Sequence, residues 1–118
     1  MNYFHAHIYF SSTDLTYAQA LKGHAVSTNL FSEIKLHESA VGPHPTGMLE
    51  LHFNQANYEP VITWIESQRA DRSVLVHQDT GDDVKDHTNG IRWLGQNLTL
   101  NFDFFEQIKS RPELRVHQ

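Results

Sequence analysis

Residues 2–10 alternate strictly. Phe4, Ala6, Ile8 and Phe10 fall on one side and Tyr3, His5, His7 and Tyr9 on the other, the period of two that a half-covered strand requires. Ser11, Ser12, Thr13 and Asp14 follow, residue types that satisfy the free N–H groups at a helix start. Leu15, Ala18, Leu21 and Ala25 then recur at three- and four-residue spacing, which predicts a helix over 14–28, closed by Thr28 and Asn29. Alternation resumes from Leu30 to Glu38, with Leu30, Ser32, Ile34 and Leu36 opposite Phe31, Glu33, Lys35 and His37, and predicts a half-exposed second strand. Val41-Gly42-Pro43-His44-Pro45-Thr46-Gly47 reads as a turn-rich loop.

A third strand is predicted over 48–53, Leu49, Leu51 and Phe53 inward and Met48, Glu50 and His52 on the other face. Asn57 begins a second helix with Tyr58, Val61, Ile62 and Ile65 as its buried stripe, and Pro60 is tolerated in the first turn, where no N–H is needed. Residues 73–77 form a fourth strand, and Asp79-Thr80-Gly81-Asp82-Asp83 is a turn rather than a calcium loop, because the glutamate that such a loop needs is missing. Trp93, Leu98, Leu100, Phe102 and Phe104 suggest a short extra strand before a C-terminal helix near 103–110.

This order implies an α+β fold: a ferredoxin-like βαββαβ antiparallel sheet with both helices on one face. Phe4, Ala6, Ile8, Leu49, Leu51, Phe53, Val74 and Val76 would meet the helices. The opposite face is left with His5, His7, Glu50, His52, Leu75 and His77.

Composition narrows the chemistry. The 118 residues suit a single domain spanning 1–118, with no linker and no repeat. No apolar run approaches the roughly 20 residues a membrane span needs, and the N-terminus lacks a signal-peptide pattern, so no membrane partner and a cytoplasmic location are expected. Cysteine is absent, which excludes disulfides and thiol chemistry. A net charge of −5 with scattered Lys and Arg argues against nucleic acid. Histidine stands out at nine residues, as many as Lys and Arg together.

In the usual strand order for such a sheet, 4-1-3-2, the first strand lies between the third and fourth, so His5 and His7 would sit beside Glu50, His52 and His77. Side chains two apart on a strand leave the same face about 6.5–7 Å apart, a span two imidazoles can close around one metal. Imidazoles with a carboxylate and no thiolate suit non-haem Fe(II), while zinc, manganese and copper stay open on ligand type alone. A lone histidine on a sheet face is ordinarily just solvated; the alternation that aims His5, His7 and His77 at one surface is what favours a site. Glu50 fits a solvated strand position equally well, and His24, His37 and His117 are given no site role.

Five segments in order carry a resemblance: Phe4-His5-Ala6-His7-Ile8-Tyr9-Phe10, Val41-Gly42-Pro43-His44-Pro45, Leu75-Val76-His77-Gln78-Asp79-Thr80-Gly81, Asp86-His87-Thr88 and Trp93-Leu94-Gly95. Over residues 4–95 the chain resembles the DOPA 4,5-dioxygenase-like proteins, small α+β proteins. The resemblance implies His5, His7, His44, Glu50, His77 and His87 as the polar set; His52 is not in the pattern. It also implies extradiol cleavage, in which iron binds a catechol such as DOPA, O2 joins it, and the ring opens beside the diol. On that basis His5, His7, His77 and Glu50 are the expected metal ligands and His44 or His87 the acid/base group.

Because His44 precedes the third strand, it is expected at the end of the sheet opposite His5 and His77, so a homodimer is expected, its partner or the C-terminal segment enclosing the site. Two other classes stay open: a dimeric module that binds a small molecule or metal without turnover, and a cofactorless enzyme acting on an aromatic substrate.

Overall fold

A computed structural model of the chain describes residues 2–88, 90–101 and 103. The helix expected near 103–110, with Phe102, Phe104 and His117, lies outside the described residues apart from residue 103. Among the described residues, no helix is long and apolar enough to cross a membrane.

The chain runs through β1 (Tyr3–Tyr9), α1 (Leu15–Thr28), β2 (Glu33–His37), β3 (Met48–Asn54), α2 (Tyr58–Gln68), β4 (Val74–Gln78), α3 (Asp83–Asp86) and β5 (Arg92–Leu94). The strands form one antiparallel sheet in the order β2-β3-β1-β4-β5. Strand β1 is therefore central, between β3 and β4, as expected. Trp93 sits in the fifth strand, but Leu98 and Leu100 lie beyond it.

The alternation read from the sequence sorts the residues as expected on β1, β3 and β4. Ala6, Ile8, Leu49, Leu51, Phe53, Val74 and Val76 pack against Leu21 and Ala25 of α1 and Val61, Ile62 and Ile65 of α2. Each large aliphatic or aromatic side chain so buried contributes about 1.5–3 kcal/mol before chain entropy is counted. Asn29, in the left-handed region at φ 59°, ends α1, a conformation Asn tolerates better than most residues. Helix α2 starts where expected, led in by a 3-10 turn over Gln55–Asn57 that Asn54 caps, its side-chain oxygen accepting from Asn57 N at 3.2 Å.

Strand β2 differs from expectation. It begins at Glu33, not Leu30. The left-handed residue at 29 breaks the register, and both Leu30 and Phe31 turn toward the helix-side core, Phe31 lying edge-on to Trp64 and Phe53. The turn expected at 79–83 also leads into the short α3, held by Asp86: its carboxylate accepts from Thr80 N at 2.9 Å and from the Thr80 hydroxyl.

Candidate metal centre

The side chains that β1 sends away from the helices are His5 and His7, their ring centroids 6.1 Å apart. Register supplies their neighbours. His5 lies between His52 of β3 and His77 of β4, and His7 between Glu50 and Leu75. The rings of His5 and His52 stack at 3.8 Å. His7 and His77 are nearly parallel at 5.0 Å, with their Nε2 atoms 2.9 Å apart. His5, His7, His77 and Glu50 are all buried.

Two segments close over this face from opposite ends, and here the expectation for His44 is corrected. Strand β3 begins at Met48, paired with Tyr9, so the loop before it starts at the Tyr9 end of β1. The loop then folds back across the face instead of running outward. A left-handed Gly42 and a turn from His44 N to Val41 O (3.1 Å) shape it, and Asn101 N bonds Pro43 O at 2.7 Å. Gly47 is needed at its exit: a Cβ there would meet the carbonyl oxygens of His37 and Glu38 at 2.8 Å. His44 thus reaches within 4.2 Å of the His7 ring. His87 arrives from beyond β4, 4.5 Å from His77 and 5.4 Å from His44 between ring centroids. One chain brings His5, His7, His44, His77 and His87 together, so the geometric ground for requiring a second copy falls away.

Beside the imidazoles the same face is apolar. Tyr9, Met48, Leu75 and Leu100 form a second, smaller cluster, with Val41, Ile91, Leu98 and Trp93 packed on it.

Three of the imidazoles are held neutral. Burial, and then the neighbouring imidazoles, hold His7 and His77 well below the ordinary histidine value. Burial and His87 bring His44 down to about 2. Burial also raises the Tyr9 phenol, which keeps its proton and shares a 2.6 Å hydrogen bond with His44 Nδ1. His44 Nε2 is buried with no hydrogen-bond partner.

These features fit a metal ion. Ligand imidazoles must be neutral, each with a bare nitrogen. His77 Nδ1–H donates to the Gln78 carbonyl at 3.1 Å, which leaves the Nε2 lone pair, facing His7 Nε2, as the acceptor. Two nitrogens bound at right angles to one ion, at about 2.0–2.1 Å each, lie about 3 Å apart, the separation of His7 and His77 Nε2. The ligand atoms of His5, His7 and His77 lie within 4.8 Å of one another, as do those of His7, His44 and His87, and those of His5, Glu50 and His52.

Glu50 groups with His5 and His52, not with His7 and His77. Burial would raise its carboxyl, but hydrogen bonds and charge from His52 and His37 outweigh that and keep it ionised. Its Oε1 lies 2.9 Å from His37 Nε2, and its Oε2 is bonded to His52 Nε2. His37, given no role from the sequence, is therefore a direct partner of this carboxylate, while His24 is exposed on α1. Sequence reasoning also passed over Asp79, read as part of a turn, whose Oδ2 stands 3.3 Å from His5 Nε2, and Tyr9, the partner of His44. An open groove bounded by Phe4, Gln55, Tyr58 and Glu59 holds no histidine and lies apart from this cluster's residues.

Comparison with known proteins places the chain in a family. The model of the Dopa 4,5-dioxygenase family matches residues 4–104. A DOPA 4,5-dioxygenase from Amanita muscaria is 28% identical, the match covering 82% of this chain and 46% of that protein. An uncharacterized 21.2 kDa protein from Botryotinia fuckeliana is 29% identical over 69% of this chain and 50% of its own length. The chain thus spans about half the length of these two relatives. The crystal structure of a candidate dioxygenase from Nostoc punctiforme superposes with a TM-score of 0.78 at 32% identity, covering 92% of this chain and 94% of that one.

Proposed function

This chain belongs to the Dopa 4,5-dioxygenase family, and from that premise we propose that it is a metal-dependent extradiol dioxygenase that opens the ring of a catechol such as DOPA, with Fe(II) as its metal. The observation that carries the reading is the convergence of buried His5, His7 and His77, whose ligand atoms lie within 4.8 Å of one another, in a chain with no cysteine. When bound, Fe(II) supplies the open positions and the redox chemistry that join a diol to O2.

The chain's own residues hold the ion and manage the proton. His5, His7 and His77 would be the ligands, two of them kept neutral by burial. His44 is the base: with its Nδ1–H given to the Tyr9 oxygen, its Nε2 accepts a proton from the diol. A histidine held neutral down to about 2 takes that proton only when negative charge arrives beside it, so proton transfer is coupled to substrate binding. His87, packed against both His44 and His77, stands where it can return a proton. The 41–47 loop and the segment after β4 cover the face and exclude water.

The test is anaerobic loading with Fe(II), followed by oxygen and L-DOPA or a panel of catechols. Wild type is expected to give a visible absorption band of ring-opened product, and His7→Ala, with an unchanged circular dichroism spectrum, none. Absence of a band with every diol would overturn the reading in favour of a binding module without turnover.

A further inference from the structure

Three imidazoles at the centre of the face have their outer nitrogens answered by three different groups. His77 Nδ1–H donates to the Gln78 carbonyl at 3.1 Å, and His44 Nδ1 lies 2.6 Å from the Tyr9 hydroxyl. For His7 the group is a thioether: Met48 Sδ lies 2.9 Å from Nδ1. Met48 opens β3 opposite Tyr9, and both its side chain and that of His7 are closed to solvent. Packing against Tyr9, Leu75 and Leu100 needs only apolar bulk, which leucine would supply as well. The sulphur itself is left to be explained.

Counting protons gives it a task. A neutral imidazole has a single N–H, and His7 and His77 are both neutral. His77 gives its N–H to Gln78, so its Nε2 turns a lone pair toward His7 Nε2, 2.9 Å away. In the metal-free chain the His7 proton sits on Nε2 and answers that lone pair, which leaves a bare Nδ1 against the sulphur. An ion bound by both Nε2 atoms needs both of those lone pairs. The His7 proton then belongs on Nδ1, and Met48 Sδ is the acceptor that faces it. A contact between two lone pairs thereby becomes an N–H···S hydrogen bond.

We infer that Met48 is a positioning residue of the metal centre, its thioether accepting the Nδ1–H of His7 so that the His7 Nε2 lone pair points at the ion. Its action runs through the His7 ring. A carboxylate on the outer nitrogen raises the basicity of a ligand imidazole, whereas a thioether orients the ring without adding negative charge beside the ion. The inference rests on the proposed function for a cation at His7 and His77, and not for the reaction carried out there.

The test uses the chelator-treated 118-residue chain. Long-range proton–nitrogen NMR of the imidazoles, with and without Zn(II) as a diamagnetic probe, is expected to show the His7 proton moving from Nε2 to Nδ1 on loading. Co(II) titration followed by visible absorbance is expected to show binding about tenfold weaker in Met48→Leu, with an unchanged circular dichroism spectrum. Met48→Gln, which offers a carbonyl oxygen in place of the sulphur, should recover most of that loss. Unchanged Co(II) affinity in folded Met48→Leu, or a His7 proton on Nε2 in Zn(II)-loaded wild type, would overturn the inference and leave Met48 a packing residue. The wild-type spectra decide the matter even where a variant fails to fold. The expected tautomer and affinities without ring opening of any diol would sink the proposed reaction and leave this inference standing, and no bound ion in wild type would remove both.

Discussion

The two faces of this sheet share one set of strands and have opposite contents. Toward the helices, β1, β3 and β4 present alanine, valine, leucine, isoleucine and phenylalanine. Toward the loops they present the imidazoles of His5, His7 and His77 and the Glu50 carboxylate, no less buried, beside the smaller apolar group of Tyr9, Met48 and Leu75. A strand alternates its side chains whatever they are, so the contrast is written entirely in which residue stands at odd and at even positions. The apolar face gains free energy from being dry. The histidine face gives some up, because a buried polar group needs a partner and a buried imidazole must stay neutral. The helix-side face holds most of the fold, and the other gives up part of that stability to keep polar groups buried.

Single substitutions on either side should separate the two. His7→Ala is expected to lower kcat/KM by about a thousandfold or more, since it removes a proposed ligand, with the metal-free protein still folded. Leu51→Ala should do the reverse, losing about 2–5 kcal/mol of stability while the folded protein binds metal as before. Chemical denaturation and metal counting on both variants check this pair, and loss of metal binding by folded Leu51→Ala would show that the faces are not independent.

Acid should distinguish the faces as well. His7, His44 and His77 have folded values below the 6.5 of an unfolded histidine, so below about pH 6.5 the unfolded chain binds more protons than the folded one. Their contribution is fully present above that pH and is lost as pH falls through it, by up to about 1.4 kcal/mol per imidazole for each pH unit. Stability of the metal-free protein measured from pH 7.5 to 5 should fall accordingly, and His44→Phe should flatten the slope. The smallest effect is expected from Tyr9→Phe, which removes only the hydroxyl on His44 Nδ1: about a tenfold loss in kcat with metal content intact, read by steady-state kinetics beside metal analysis.

What could be read in advance follows from how far each signal reaches. Alternation is local, and it assigned His5, His7, His52 and His77 to one face before any contact was known. It misplaced the start of β2 because one left-handed residue, Asn29, resets the register, and side-chain type does not announce that. Loop reach was beyond it. The position of His44 depends on a glycine at 47 that lets the chain pass tightly under the carbonyls of residues 37 and 38, and on a hydrogen bond to Asn101. His37 was overlooked because an edge strand meets its neighbours diagonally: it is paired with Met48, yet its ring reaches Glu50. His52 had the right face but lay outside the pattern of the resemblance, and its contacts with Glu33 and Glu50 follow from strand register, which no single strand's sequence gives.

The 2.9 Å approach of His7 to His77 spans 70 residues of sequence. A cation held there would act as a clasp between the first strand and the fourth, closing most of the chain into a loop. At a free metal concentration about a hundredfold above the dissociation constant, such a ligand adds about 2.7 kcal/mol to folding. Metal supply would then set how much of this protein stays folded as well as how much of it is competent to react.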